Sequence, residues 1–319
     1  MMSLCTLQDL AKTTGLSTST ISRAIHNDRR VKSSTREAIQ HLAAQRGYIP
    51  NLTARNLVTG STHTIWLLLS DLENPLERYC ATKISNEFAK QGYEVLISIF
   101  NNNAERFISL YQKLPQHLSD GAIIIPSTKS RNEFVDKLAP LSFPLLFLDR
   151  DLAFLKKPLI TSDTESAIRQ MAEKAFQFHC DVFFVGFPAN NSVSLSRREQ
   201  AEKILSEKGF AYFFSKEKFL NYISNHPDSK PGFFGDSSSY IENLFSDFDF
   251  STKKGTGLFF DHKSEFGLQK FSSLIICKQD FDGMSVLACK ILLQIIQHPE
   301  SAVQKEYHIL PKALEVYTN

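Results

Sequence analysis

Apolar positions in the first sixty residues recur at helical spacing in three short stretches separated by turn residues. Leu7, Leu10 and Ala11 fall at i, i+3 and i+4 behind Thr6, a helix-capping residue with Asp9 three positions on, and Gly15 ends the stretch. Ser17 then caps a second helix that buries Ile21, Ala24 and Ile25 and turns Thr18, Ser19, Ser22, Arg23 and His26 outward. A third helix is predicted to open on a Ser34-x-x-Glu37 capping box, to run through Ile39, Leu42 and Ala43, and to stop at Gly47. Two helices joined by a tight turn, the second exposing hydroxyls and an arginine, form a helix-turn-helix pattern, although a plain three-helix bundle with polar surfaces would share much of it. Tyr48-Ile49-Pro50-Asn51 breaks the chain, and residues 52–60 form a helical segment too short to be stable alone in water. Small Ala54 and projecting Leu57 suit that segment to wedging open a minor groove.

From Thr64 the period changes. Strand-sized apolar runs alternate with amphipathic stretches: 65–69 then 76–91, 93–100 then 104–118, 121–126 then 131–139, and 143–149. The pattern restarts at 159–163 and 181–187, with later strands expected at 232–235, 256–261 and 274–278. Repeated β-α alternation predicts parallel sheets covered by helices, and two successive runs predict two doubly wound lobes. The fold class is therefore α/β, with an all-α helix-turn-helix head (1–50), a hinge helix and linker (51–61), and a core (62–319). Within the core, one lobe is expected from about 62–160 plus 282–306, the other from about 161–281 plus 307–319.

Charge adds a division of labour. Residues 1–60 hold eight basic side chains against three acids, a local +5, while the whole chain is only +2, so the body is slightly acidic. A basic head on an acidic body suits a polyanion-binding module. No apolar run reaches the length of a membrane helix, and Met1-Met2-Ser3-Leu4-Cys5 lacks the features of a secretory leader, so a cytoplasmic location is expected and no membrane partner. The five cysteines stand singly, which predicts thiols rather than disulfides or a metal site. Nucleophile-elbow, dinucleotide, P-loop and zinc-protease motifs are all missing, so neither an enzyme nor a cofactor is expected.

Residues 5–60 resemble the LacI/GalR (lactose repressor) family. The likeness is carried by Thr6-Leu7-x-Asp9-Leu10-Ala11, Gly15-Leu16-Ser17, Thr20-Ile21-Ser22-Arg23, Val31-x-x-x-Thr35-Arg36 and Tyr48-Ile49-Pro50-Asn51. The resemblance implies that the second helix lies in the major groove and that a hinge helix folds on the operator, inserting a leucine at its centre. Thr18, Ser19 and Arg23 would then read base edges, and Leu57 would be the wedge. Thr6, Ser22, Asn27, Thr35 and Asn51 would hold phosphates, with Leu7, Ser17, Thr20, His26, Tyr48, Ala54 and Arg55 completing the DNA-contacting set. The implied partners are double-stranded operator DNA and a second copy of the chain, as a homodimer or a tetramer.

The core resembles the periplasmic-binding-protein-like lobes of the same family, with Asp71-Leu72-Glu73-Asn74, Leu148-Asp149-Arg150 and Ser192-Val193-Ser194 most like its fructose and sucrose repressor branch. A sugar or sugar phosphate between the lobes is the implied effector. Its candidate contacts follow the strands: Asn74, Asn102, Asp149, Arg150, Ser194, Arg197, Arg198, Asp236, Asp261 and Gln279. Either Arg197 or Arg198 fits as the pocket arginine, and Asp149, Asp236 and Asp261 could instead cap helices. Trp66 stands where the family has glycine, Gly235-Asp236-x-x-Ser239 replaces its Asn-Asp-x-x-Ala, and residues 240–275 are phenylalanine-rich. These departures leave a second reading, in which a degenerate pocket gives way to control by abundance or a protein partner. A transport binding protein would share the core but not the head.

Overall fold

Two units make up the chain, Met1–Thr62 and His63–Asn319, in a computed structural model that describes residues 5–49, 60–116, 118–126, 138–188, 192–250, 254–261 and 267–318. In the first, α1 (Leu7–Thr14), α2 (Thr18–Ile25) and α3 (Ser33–Gln45) pack Leu10, Ile21, Ala24, Val31, Ile39 and Ala43 into one core. The start of α1 follows from reciprocal capping: Asp9 donates its N–H to Thr6 Oγ1 at 3.3 Å while Thr6 donates its N–H to Asp9 Oδ2 at 2.9 Å. Such a cap contributes about 1 kcal/mol. Ser17 caps α2 by accepting the Thr20 N–H at 3.2 Å.

The third helix departs from expectation. It begins at Ser33 behind Lys32, which makes no side-chain cap, so Ser34 falls inside the first turn and the Ser34–Glu37 box does not form. Val31, only 8% exposed, is drawn into the head core and fixes where the chain enters the helix. The end of α3 is as expected. Gly47 takes φ 60°, and Tyr48 N–H to Ala43 O (2.9 Å) with Gly47 N–H to Ala44 O (3.1 Å) closes the last turn, a geometry that favours glycine.

The second unit holds two six-stranded sheets. In the first, β1 (Thr64–Leu69), β2 (Glu94–Ile99), β3 (Gly121–Ile125), β4 (Leu145–Leu148), β5 (Leu159–Ser162) and β11 (Glu306–Ile309) take the order β11-β5-β4-β3-β1-β2. In the second, β6 (Val182–Gly186), β7 (Ala211–Phe213), β8 (Pro231–Gly235), β9 (Thr256–Phe260), β10 (Ser273–Lys278) and β12 (Ala313–Thr318) take the order β12-β10-β9-β8-β6-β7. Every pairing is parallel except β10 with β12. The helices α4 (Pro75–Ala89) and α5 (Ala104–Lys113) cover the first sheet, and α6 (Thr164–Gln177), α7 (Ser192–Glu207), α8 (Lys216–Asn225), α9 (Ser238–Leu244) and α10 (Gly267–Lys270) serve the second. The long α11 (Phe281–Gln297) returns to pack on α4 and the first sheet.

Because both faces of each sheet are covered, alternate residues of one strand enter opposite cores. Ile65, Leu67 and Leu69 join the cluster under α4 and α11, while Trp66 and Leu68 join that under α5. The indole of Trp66 is accommodated there because Nε1 donates to Ser98 Oγ at 2.9 Å. The phenylalanine-rich stretch contributes Phe245, Phe250 and Phe271 to a buried layer in which they meet Phe219 and Phe233 ring to ring. The chain passes between sheets after β5, after β10 and after β11. The first and third passages fall a few residues later than the sequence suggested, since β11 runs in register beside β5, pairing Ile309 with Ser162.

Candidate nucleic-acid interface and ligand cleft

On the head, Thr18, Ser19, Arg23 and His26 are exposed along one side of α2 and Ser22 is half-buried. At the N-terminus of α2, Ser17 Oγ lies 2.9 Å from both Ser19 Oγ and Thr20 Oγ1, so three hydroxyls sit at the positive end of a helix. His26 Nδ1 donates back to the Ser22 carbonyl at 2.7 Å, leaving its other nitrogen outward. Asn27 takes φ 60°, and its Oδ1 accepts from Gln40 Nε2 at 2.8 Å. Thr6 is exposed and Thr35 half-buried. Leu7 and Tyr48 differ from the rest of the candidate set, because both side chains pack against the head core, leaving mainly backbone or a hydroxyl to reach a partner. Asn51, Ala54, Arg55 and Leu57 lie outside the described residues.

Among the described residues, the head's one ion pair is Arg30 Nη2 to Asp28 Oδ2, at 2.5 Å. Hydrogen bonds from Arg30 hold the Asp28 carboxyl down to about 2, so it is charged and fully committed. Lys12, Arg23, Arg29, Lys32, Arg36 and Arg46 form no ion pair there, which concentrates positive potential on one small body.

In the core, the strand C-termini of both sheets carry polar groups that meet one another. Arg150, at the end of β4 and 5% exposed, donates from Nε to Asp149 Oδ2 (2.8 Å), from Nη1 to Pro126 O (2.9 Å) and from Nη2 to Glu77 Oε1 (3.3 Å). Glu77 is fully buried. Its carboxylate also accepts from Ser70 Oγ (2.5 Å) and Asp71 N–H (2.9 Å), and burial pushes it up against the opposing pull of Arg150. Burial likewise works against the Arg150 charge, but Asp149 and Glu77 more than offset it.

A second cluster belongs to the other lobe. Arg197, 7% exposed and stacked 3.5 Å over the Phe260 ring, donates from Nη1 to Asp236 Oδ1 (2.7 Å) and from Nη2 to Gln279 Oε1 (3.2 Å). Ser194 Oγ donates to Asp236 Oδ2 at 2.6 Å. Gln279 Nε2 and N–H both donate to the Asp261 carboxylate, which burial pushes up. Ser162, at the end of β5, donates to Gln279 Oε1 at 2.5 Å and so ties the first sheet to this cluster.

The structure thus brings together Asp149 and Arg150 in one group, and Ser194, Arg197, Asp236, Asp261 and Gln279 in another. Arg198, one residue on along α7, is turned away, its guanidinium 3.9 Å over Phe214. Asn74 is also elsewhere engaged, capping α4 by accepting the Leu76 N–H at 3.0 Å. Asn102, at φ 54°, donates its N–H to Ser70 O at 3.1 Å. Helix capping does not account for the aspartates: Ser237 caps α9 in place of Asp236, while Arg150 and Gln279 engage Asp149 and Asp261. Glu77 and Ser162 were missed at the level of sequence. Glu77 had a signal, for it lies on the same inward face as Cys80, Ala81, Ile84 and Phe88, where a charge is out of place. Two cavities flank the network, one of about 520 Å³ that includes Asp149 and Ser162 and one of about 850 Å³ that includes Asp261 and Gln279. Among the described residues no helix is long and apolar enough to cross a membrane, and no cluster of His, Cys, Asp and Glu is placed to hold a metal.

Residues 6–51 match the profile of the bacterial regulatory proteins of the lacI family. The transcriptional regulator DegA of Bacillus subtilis is 26% identical over 160 residues, covering 50% of this chain and 48% of that protein, so this match spans about half of its length. The catabolite repressor/activator of Salmonella typhimurium is 25% identical over 235 residues, 69% of this chain and 70% of that one. Among solved structures, a lac repressor dimer bound to operator and the anti-inducer ONPF superposes with TM-score 0.76 at 20% identity over 98% of each chain. The Cra regulator of Pseudomonas putida, in complex with fructose 1-phosphate, gives 0.60 at 17% identity over 79% of this chain and 98% of that one. The head thus matches the lacI family of bacterial regulatory proteins over residues 6–51, and the core has the two-lobed fold of the lac repressor and Cra structures.

Proposed function

We propose that this chain is a sequence-specific DNA-binding regulator, acting as a homodimeric repressor of carbohydrate-metabolism genes, whose operator affinity is set by a sugar or sugar phosphate held between the core lobes. The observation that carries this reading is the outer side of α2. Exposed Thr18, Ser19 and Arg23 stand on a helix whose opposite side, Ile21 and Ala24, is fully buried, so a readable surface is held rigidly by its own core. A helix of this kind reads only a few base pairs, and two copies on a two-fold site multiply the discrimination. Relatives support the sugar half of the reading, since they include a ribose operon repressor of Bacillus subtilis and the fructose 1-phosphate complex of Pseudomonas putida Cra.

The mechanism follows from Arg197 and Ser162. Both donate to Gln279, Arg197 from within the same lobe and Ser162 across from the first sheet, so a ligand that competes for Gln279 changes the energy of one lobe arrangement relative to another. A ligand shifts such an equilibrium by the difference in its affinity for the two states, and DNA binding follows if the segment after residue 50 responds to lobe angle. The test is selection of bound duplexes from a random pool at fixed salt, repeated with candidate sugars and sugar phosphates. A palindrome should emerge, weakened by Arg23→Ala by roughly 1–3 kcal/mol for the lost base contact. Recovery of no preferred sequence, or an Arg23→Ala protein that selects the same duplexes equally well, would overturn the proposal.

A further inference from the structure

We propose that Gln40 is a positioning residue for DNA recognition: it turns the Asn27 side-chain amine outward, toward a backbone phosphate at the end of α2. This rests on the reading of α2 as the helix that enters a groove, and it adds a residue that touches no DNA itself. The setting is the turn from α2 to α3. Asp28 N–H donates to Arg23 O at 3.0 Å and Asn27 N–H to Ala24 O at 3.3 Å, the paired closure that ends a helix on one left-handed residue. Asn27 is that residue, at φ 60°. Asparagine tolerates the conformation, but glycine meets it with no strain at all, so the backbone alone does not call for the amide.

A relay of three groups decides which end of that amide faces out. Gln40, half-buried and next to core residue Ile39 on α3, donates from Nε2 to Ala24 O at 3.0 Å. A backbone carbonyl only accepts, so the Gln40 amide has one orientation, with its amine toward α2. The same Nε2 lies 2.8 Å from the Asn27 side chain, and its second N–H needs an acceptor there, which is Oδ1. With Oδ1 engaged, Nδ2 and its two N–H groups are what the exposed Asn27 side chain offers a partner. Donors suit a phosphate oxygen, whereas an outward Oδ1 would repel one. Location points the same way. A recognition helix meets base edges through its first turns, so a residue just past its last turn falls at the groove wall, where the phosphates run. Exposed Arg23 and Arg29 stand on either side of Asn27 in the chain and form no ion pair among the described residues, while the intervening Asp28 is committed to Arg30.

The affinity of the full-length protein for its selected palindrome, measured by fluorescence anisotropy at fixed salt, tests this. Asn27→Gly keeps the left-handed backbone and removes only the amide, and should weaken binding by about tenfold or more, the loss expected of a hydrogen bond to a charged oxygen. Gln40→Met, similar in size and equally at ease in a helix, should cost about the same. In the Asn27→Gly background Gln40→Met should cost nothing further, because Gln40 acts on DNA only through that amide. Each single variant should still select the parent's palindrome, since a phosphate contact carries no sequence information. Gln40→Leu repeats the cycle if Gln40→Met loses the fold by circular dichroism. A Gln40 that merely holds α3 against α2 would lower affinity equally in both backgrounds, which overturns the inference. An Asn27→Gly protein that binds as tightly as the parent, or a Gln40 variant that selects a different sequence, overturns it too. Recovery of no palindrome from the parent is a separate outcome: it sinks the regulator reading, and the role of Gln40 with it.

Discussion

Arg197 and Arg198 are neighbours in sequence, and a helix turns about 100° between them, which is enough to send one guanidinium into a buried network and the other onto a surface ring. No pattern of residue types separates them; only knowing which side of α7 faces the cleft does. The consequence is measurable. Arg197→Lys keeps the charge but loses the fork that reaches Asp236 and Gln279 together, and should cost on the order of 1–3 kcal/mol in urea unfolding along with most of the ligand response. Arg198→Lys trades one half-buried cation–π contact for a similar one and should stay within about 0.5 kcal/mol. Equal losses in the two variants would mean that the assignment is reversed. The head offers a pH test of the same kind. Asp28 is held at about 2 in the folded head against an ordinary 3.8, so its contribution is complete above 3.8 and is lost as pH falls from there toward 2. Circular dichroism from pH 7 to 2 should show Asp28→Asn missing that component of the acid transition. Superimposable curves would argue that the Arg30 contact does not form in solution.

Elements were easier to read than residues wherever burial was two-sided. Strands such as β1 and β3 are buried on both faces, so their sequences are unbroken apolar runs that stand out from any helix pattern. The strands that escaped notice are β7, β11 and β12, all at sheet edges; polar residues interrupt β11 and β12, as in Glu306-Tyr307-His308-Ile309, and β7 is only three residues long. The lobe boundaries shifted for the same reason, because β11 announces itself by pairing with β5 and not by composition. The end of β8 shows how closely an interior strand constrains its neighbours. A Cβ at Gly235 would lie 2.6 Å from Ile241 Cγ1 and 3.0 Å from its Cδ1, which explains a glycine where the family pattern has asparagine. Gly235→Ala should therefore destabilise the core by roughly 1–3 kcal/mol, and adding Ile241→Val should recover part of that loss. Guanidinium unfolding of the two proteins decides it, and a double variant no more stable than the single one would mean that the strain lies elsewhere.

At the level of the whole chain, the decisive fact is where each core draws its residues. The head's cluster uses only residues up to Tyr48, and the four clusters that sandwich the two sheets use none before Ile65. Each unit therefore buries its apolar surface with its own segment, and the larger one, running from His63 to the C-terminus, has the length to be stable by itself. A protein beginning at His63 should keep a cooperative thermal transition within a few degrees of the full chain's upper transition, since roughly each 1 kcal/mol moves a domain of this size by only about 2–4 °C. It should bind the effector as the full chain does and lose all affinity for the selected palindrome. The opposite truncation should be less forgiving. A head of this length closes a single small core and buries a smaller fraction of its surface, so residues 1–62 alone should unfold at lower temperature and gain stability when a palindromic duplex is added. Calorimetry on the two fragments measures both expectations. A core that fails to fold without residues 1–62 would show that the division of labour between reading DNA and sensing a ligand is not the division between these two bodies.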